Sequence, residues 1–345
     1  MEPRRPGWPY PPSWVDRLTD AIARLPGPWW VAYLVGFAVF LIVANAAAWI
    51  DGTLTPGTFD LYLSALAVYA VVPLAAIHYL DVEASAALEE MRKTLSVDDG
   101  SLELHRYRLT TMPAVPTLIW TGLGLAFAFG YVVFGPTIAV QQAGPMTRAV
   151  DAAIALVAFP LFGAMFFHTV RQLRLISDIQ SQIPSIDLFQ LRPLYAFSGV
   201  TARTGLITLA LAYLSAATDP STFVLTNPTL FVFVLVAIVV AIVAFIVPLL
   251  GIQQRVAKAK ASALAEANRD LQSVLSEVSR RARFADLTDA DAVNKHLASA
   301  VAQRDIVARI PTWPWEPGTL RGFVTAVVLP IALWLVFRAL ERFIS

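Results

Sequence analysis

The dominant pattern in the sequence is a series of long apolar runs separated by short polar stretches. A hydrocarbon core about 30 Å thick needs roughly 20 apolar residues in a helix that rises about 1.5 Å per residue. Five runs reach this length, namely 29–50, 61–80, 116–134, 152–170 and 229–252. The pattern therefore predicts a membrane-spanning helix over each of them.

Two further apolar segments are shorter. The stretch from Thr204 to Thr218 is uncharged and gives about 22 Å of helix, and extending it back to 197 places Arg203 inside the membrane. The segment 322–337 lies between Arg321 and Arg338 and gives about 24 Å, so it spans only if both guanidinium groups reach the headgroups. The predicted fold is an all-α membrane bundle of seven spans, or of six plus a re-entrant or interfacial segment.

The distribution of Lys and Arg predicts the orientation. Segments 1–28, 81–112 and 171–203 carry four such residues each, whereas the alternate segments 51–60, 136–150 and 218–228 together carry one, Arg148. The positive-inside rule therefore predicts a multi-pass protein of the inner cell membrane with its N-terminal tail, 1–28, in the cytoplasm.

A short motif recurs three times near the end of a returning span: Val72-Pro73-Leu74, Phe159-Pro160-Leu161 and Val247-Pro248-Leu249. The prolines are 87 and 88 residues apart (160 − 73 and 248 − 160). This spacing predicts a parallel threefold repeat of helical hairpins over 29–80, 116–170 and 197–252. Proline removes a backbone donor and bends a helix, so each site is a candidate hinge or a static kink.

The polar segments are also helix-prone. Residues 81–112 and 171–196 are predicted to be cytoplasmic helical loops. Small or apolar positions recur along one helical face from Val256 to Ala282, and Thr288-x-x-Asp291 resembles a capping box that begins a second helix. We predict a cytoplasmic antiparallel hairpin over 253–311, followed by a Trp- and Pro-containing interfacial linker and the seventh segment over 312–345. Residues 253–309 offer a surface for a protein partner or a second copy of the chain.

Composition narrows the classes of function. The chain has 345 residues, 57% hydrophobic and 15% charged, which is typical of a polytopic membrane protein whose partner is the lipid bilayer. The net charge of +1 gives no basic field for nucleic acid, and the lack of Cys excludes disulfides and Cys-ligated metals. Motifs for nucleotide binding, serine hydrolysis and intramembrane aspartyl proteolysis are missing from the sequence.

Four polar residues within or beside the spans are candidate site residues: Arg203, Asn45, His78 and His168. An intramembrane charge is costly and so marks a candidate functional site. Two histidines at similar depth suggest a metal or haem, but no third ligand accompanies them at a recognised spacing, so no cofactor is predicted. Gly122, Ala126 and Gly130 form a small-residue stripe that favours close helix packing, within the chain or between copies.

The leading hypothesis is a non-enzymatic membrane protein that relays a signal, or assembles with a partner, through the cytoplasmic hairpin. One alternative is a channel or carrier whose path is lined by the proline-kinked helices and contains Arg203 or Asn45. A weaker alternative is a membrane enzyme that acts on lipid with His78, His168 and nearby acids such as Asp81.

Overall fold

The regular structure of the chain is helical. A computed structural model describes residues 8–134, 143–218, 228–283, 290–313, 315 and 317–344. Within these ranges every regular element is an α-helix or a 3-10 turn, and an isolated backbone bridge joins Pro12 to Pro113. The all-α prediction is confirmed.

The helices follow the apolar runs closely and extend beyond them. In chain order they are α1 Trp14–Ala23, α2 Trp29–Ile50, α3 Leu61–Leu95, α4 Asp99–Thr110, α5 Ala114–Phe134, α6 Pro145–Ser181, α7 Arg192–Ala217, α8 Pro228–Ile246, α9 Leu250–Arg283, α10 Ala290–Arg309 and α11 Pro317–Ile344. Helices α3 and α6 continue without interruption from the predicted spans into the segments predicted as helical loops.

Six helices are long and apolar enough to cross a membrane: α2, α3, α5, α6, α7, and α8 with its continuation into α9. The apolar part of α11 is shorter and covers Gly318–Leu329. Large apolar side chains are exposed along α2 and α5, as expected for helices whose outer faces contact lipid. These features agree with a membrane-embedded multi-pass protein.

Helix α3 occupies the centre of the bundle. Within the three predicted hairpins, α2 packs against α3, α5 against α6, and α7 against α8. Helix α3 also contacts α6 and α7, so it joins all three pairs. A displacement of α3 would therefore act directly on a helix of each predicted hairpin.

Helices α5 and α6 approach each other through Gly124 and Gly163. A side chain at Gly124 would collide with the Phe159 carbonyl oxygen, and one at Gly163 with the Trp120 carbonyl oxygen. The predicted stripe lies elsewhere on α5. Gly122 and Ala126 are exposed, and an added Cβ at Gly122 or Gly130 would meet nothing within 4 Å. Close packing within the chain thus uses a different face of α5, and the predicted stripe is left for contact with lipid or another copy.

The three prolines differ in local structure. Pro73 and Pro160 lie inside the uninterrupted helices α3 and α6, whereas Pro248 lies in the 3-10 turn Val247–Leu249 that joins α8 to α9. The helical segments that follow the three prolines meet in one buried apolar cluster. Its members include Leu80, Leu88, Ile176, Ile179, Leu249, Ile252 and Val256. These segments therefore pack against one another as an apolar seam.

Helices α9 and α10 form an antiparallel pair. The Lys260 ammonium donates to the Ala308 and Ile310 carbonyl oxygens, 2.7 Å from each, and Arg304 Nε lies 3.3 Å from Asn268 Oδ1. Higher residue numbers on one helix thus face lower numbers on the other. Thr288, half of the predicted capping box, lies outside the described residues.

The predicted N-terminal tail contains a helix that the apolar pattern does not indicate. Ser13 caps α1: its Oγ accepts from the Asp16 backbone N–H, and its own N–H donates to Asp16 Oδ2 at 2.7 Å. This reciprocal pair is a capping box.

Candidate functional site

A buried pair of ionisable side chains lies between α3 and α6. His168 Nε2 on α6 is 2.8 Å from Asp81 Oδ1 on α3, and the two side chains are 1% and 13% exposed. Asp81 follows Pro73 by eight residues, and His168 follows Pro160 by eight (81 − 73 and 168 − 160). The two groups that pair therefore lie at the same distance from the prolines of the first two predicted hairpins.

Gln172 extends this site, since it lies one helical turn beyond His168 on the same face of α6. Its Nε2 lies 3.3 Å from Asp81 Oδ1 and 3.4 Å from the Leu109 carbonyl oxygen. The helical donor for Leu109 would come from position 113, which is a proline without an N–H. Gln172 thus joins the Asp81–His168 pair to the end of α4.

Arg171 connects the site to the N-terminal segment. Its Nη2 donates to the Tyr10 hydroxyl, and its guanidinium carbon lies 5.4 Å from the centre of the Tyr10 ring. The Tyr10 hydroxyl in turn donates to the Thr111 carbonyl oxygen at 3.1 Å. We refer to Asp81, His168, Arg171 and Gln172 as the Asp81 cluster.

Asp16 holds α1 against the segment between α4 and α5. The Met112 N–H lies 3.1 and 3.2 Å from the two Asp16 carboxylate oxygens, and the Ser13 N–H donates to the Met112 carbonyl oxygen at 3.0 Å. Burial raises the pKa of Asp16 to about 6, against the lowering effect of the hydrogen bonds from Ser13 and Met112. The N-terminal segment, residues 8–23, is therefore attached to the rest of the chain on the side of Arg171.

Three polar atoms of the Asp81 cluster are buried without a hydrogen-bond partner among the described residues. They are His168 Nδ1, Arg171 Nη1 and Gln172 Oε1. A buried polar atom without a partner costs free energy, so such atoms are uncommon in folded proteins. The cluster therefore keeps unused capacity to donate and to accept hydrogen bonds.

A second buried aspartate lies nearer the start of α3 and α6. Asp151, which is 2% exposed, accepts hydrogen bonds from the hydroxyls of Tyr62 at 3.1 Å and Tyr131 at 3.2 Å. The two hydroxyl oxygens are themselves 2.8 Å apart. We call these three residues the Asp151 cluster. It joins α3, α5 and α6.

The remaining predicted site residues are not part of either cluster. Arg203 Nη1 on α7 lies 3.5 Å from Glu83 Oε2 on α3, and its side chain is 41% exposed. Asn45 is buried, and it accepts from the Asp60 N–H at 2.9 Å while its Nδ2 donates to the Leu41 carbonyl oxygen at 2.9 Å. Arg203 thus bridges two helices, and Asn45 fixes the turn between α2 and α3.

The two histidines considered as a pair have different partners. His78 Nδ1 lies 3.0 Å from the Tyr33 hydroxyl and its ring contacts Trp29 in a tilted arrangement, whereas His168 pairs with Asp81. Among the described residues no group of three or more His, Asp or Glu side chains is arranged to hold a metal ion. The two rings therefore do not form a common ligand set.

Arg255 links helix α9 to the end of α6. Its Nη1 donates to the carbonyl oxygens of Gln180 at 2.8 Å and Ser181 at 3.1 Å, and its Nη2 donates to that of Ile183. The last carbonyls of a helix lack intrahelical donors and carry partial negative charge, so a cation there is stabilising. One guanidinium thus attaches the α9–α10 pair to the helix that carries His168, Arg171 and Gln172.

Comparison of the chain with models of protein families, with curated proteins and with solved structures finds no match.

Proposed function

We propose that this protein is a non-enzymatic membrane protein that relays a change in its helical bundle to the α9–α10 hairpin. The observation that carries the proposal is the Arg255 contact with the three carbonyl oxygens at the end of α6. A partner, either another protein or a second copy of the chain, reads the hairpin position.

The proposal follows a continuous path of contacts. Helix α6 carries three members of the Asp81 cluster, and its last turn binds Arg255 at the start of α9. Lys260 then holds α9 to the last turn of α10. A shift of α6 relative to α3 is therefore transmitted to the hairpin through polar contacts at fixed geometry.

The packing weighs against a channel or carrier. The segments after Pro73, Pro160 and Pro248 bury apolar side chains against one another. This packing supports a mechanical contact between the helices and not a water-filled path. Arg203, the charge predicted to line such a path, is partly exposed and paired with Glu83. The burial of His168 similarly weighs against a lipid-modifying enzyme, since a general base must reach its substrate.

We further propose the predicted topology, with the N-terminus and the hairpin in the cytoplasm beside the inner membrane, and with α11 as a seventh span. Gly205 on α7 leaves room for the Phe323 ring, and the Tyr213 hydroxyl donates to the Val327 carbonyl oxygen at 3.3 Å. Gly205 contacts Phe323 and Tyr213 contacts Val327, so the residue numbers increase in the same direction along the two helices. Helix α11 therefore runs parallel to α7. This contact supports a membrane-crossing α11 over an interfacial one.

Paired spin labels test the mechanical link. The chain has no Cys, so Arg174→Cys on α6 and Ser299→Cys on α10 introduce two unique labels in nanodiscs. Arg255→Gln should broaden the distance distribution between them, and Lys258→Gln, an exposed neighbour on α9, should leave it unchanged. An unaltered distribution in Arg255→Gln contradicts the link.

A second experiment tests the class of function. A photoreactive residue at Ile306, an exposed apolar position on α10, should crosslink in native membranes to a partner protein or a second copy. Purified protein in liposomes should pass no more ions or small solutes than empty liposomes. Solute flux that is lost in Arg203→Ala would replace the relay proposal with transport.

A further inference from the structure

We propose that Asp81 and His168 form a reversible proton-binding site whose occupancy sets the packing of α3 against α6. The inference rests on the proposed function only for its output at the hairpin. The ligand is a proton, exchanged with solvent, and the site is the His168 Nε2–Asp81 Oδ1 contact.

The geometry suits one exchangeable proton. With the proton bound, an imidazolium faces a carboxylate and the pair is neutral. When the imidazolium N–H bond breaks and its proton leaves to water, a neutral ring faces a carboxylate, and the pair has one net negative charge. A net charge in buried surroundings is costly, so the two states differ in how strongly they hold the two helices together.

The buried atoms without hydrogen-bond partners support a site that changes its protonation over a fixed structural pair. His168 is almost fully buried, yet neither its Nδ1 nor Gln172 Oε1 on the next turn has a hydrogen-bond partner in the part of the chain that the structure describes. A fixed structural pair has its remaining donors and acceptors satisfied. Both His168 ring nitrogens carry a proton in one state and only one does in the other, so a partner at Nδ1 would have to accept in one state and donate in the other.

The surrounding charges are mixed, so no single neighbour locks the pair in one state. The titratable and charged groups that interact electrostatically with Asp81 are Arg171 on α6, Asp16 and Asp20 on α1 and Tyr33 on α2. Asp20 and Asp16 favour the protonated pair, whereas Arg171 favours the pair that has lost its proton.

The third hairpin provides a comparison inside the chain. The position eight residues after Pro248 is Val256 (256 − 248), a buried member of the apolar seam. The third segment thus has no titratable group at that position. The proton site belongs to the first two hairpins, and the third follows through the Arg255 contact with α6.

Imidazole nitrogen-15 NMR on His-labelled protein in nanodiscs tests the site directly. The chain has four histidines, and His168→Gln, His78→Gln and His105→Gln assign the signals. As pH is varied from about 5 to 9, the proposal requires the His168 signals to change as the proton leaves the site. The pH dependence of these signals should change in Asp81→Asn, which removes the facing carboxylate, and should not change in His78→Gln. A His168 signal that stays constant across this range overturns the proposal.

The labels at positions 174 and 299 test the output. In the otherwise wild-type chain their distance should change with the same midpoint as His168, and the change should disappear in Asp81→Asn. A distance change that persists in Asp81→Asn and in His168→Gln overturns the proposed switch. In a further outcome, the His168 signals change with pH while the label distance in the otherwise wild-type chain stays as constant as in Arg255→Gln. That result contradicts the relay but does not contradict the proton site.

Discussion

The helix pair α3–α6 buries one aspartate near each end, and the two sites are built differently. Asp151 accepts from two phenol hydroxyls, supplied by α3 and α5. Asp81 faces an imidazole and an amide, both supplied by α6. Tyr62 and Asp81 are 19 residues apart on α3 (81 − 62), so the sites lie about 28 Å apart along the helix axis.

The two clusters differ in whether their hydrogen-bond donors change with pH. Phenols remain protonated at neutral pH, so the donors of the Asp151 cluster stay constant. An imidazole gains or loses a proton near neutral pH. The Asp81 cluster also contains three buried polar atoms that have no hydrogen-bond partner among the residues described. The same two helices are therefore held firmly at one end and conditionally at the other.

The largest expected effect comes from removing one partner of the Asp81–His168 pair. His168→Leu leaves the Asp81 carboxylate buried, with the Gln172 amide as its remaining side-chain donor among the described residues. We expect a loss of about 3–5 kcal/mol in the free energy of unfolding, measured in mixed micelles, because an unpaired buried charge remains.

The double variant Asp81→Leu/His168→Leu is the matched control. Both polar partners are replaced by apolar groups, so most of the stability lost in His168→Leu should return. A double variant that is less stable than His168→Leu alone would show that the pair contributes through packing and not through its charges.

The next effect concerns pH near the Asp81 cluster. The pKa of Asp16 rises from 3.8 to about 6 in the folded chain, so the folded state binds the proton more tightly than the unfolded state. Stability should therefore fall as pH rises between about 4 and 6, by at most about 3 kcal/mol. In Asp16→Asn this fall should be lost, as followed by thermal unfolding at each pH. Equal pH profiles for the two proteins would contradict the assignment.

At the Asp151 cluster a single deletion should cost less. Tyr62→Phe removes one donor, but Tyr131 still donates to Asp151. We expect a loss of about 1.5 kcal/mol, typical of a hydrogen bond to a charged group. Tyr62→Phe/Tyr131→Phe should cost more than the sum of the single variants, because the carboxylate then has neither phenol donor. Simple additivity would argue against this redundancy.

The sequence predicts the helices well because hydrophobic length decides them. The predicted first span, 29–50, coincides with α2, and the fold class follows from the same apolar runs. Pairing across the bundle is harder to predict, since Asp81 and His168 are 87 residues apart (168 − 81). The available signal is their common distance of eight residues from Pro73 and Pro160, which matters only if the repeat is used as an alignment.

Other features lack a strong signal in the sequence. Helix α1 is short and lies between prolines, and its one local sign is the spacing Ser13-x-x-Asp16. The contacts of Arg171 with Tyr10 and of Arg255 with the end of α6 depend on tertiary packing between distant segments. Similarly, the choice between Gly124 and the stripe at Gly122 depends on which face of α5 meets α6.

The smallest expected effect is at Asp51, where the pH dependence of stability has the opposite sign to that at Asp16. Asp51, at the end of α2, caps α6: its carboxylate accepts from the Thr147 N–H at 2.7 Å and from the Met146 N–H at 3.2 Å. These bonds hold the pKa of Asp51 below its ordinary value of 3.8, and the hydrogen bond from the Thr147 N–H is the largest cause.

The stabilisation from Asp51 is therefore present above about pH 4 and is lost as pH falls through the lower folded value. Asp51→Asn keeps an acceptor oxygen but removes the charge at the start of α6, so we expect a loss smaller than in the variants above. The Thr147 amide should exchange with solvent faster in this variant at pH 6, and the difference should shrink as the pH is lowered through the folded pKa of Asp51. If the difference stayed the same at a pH at which Asp51 is fully protonated, the cap would act through its shape and not its charge.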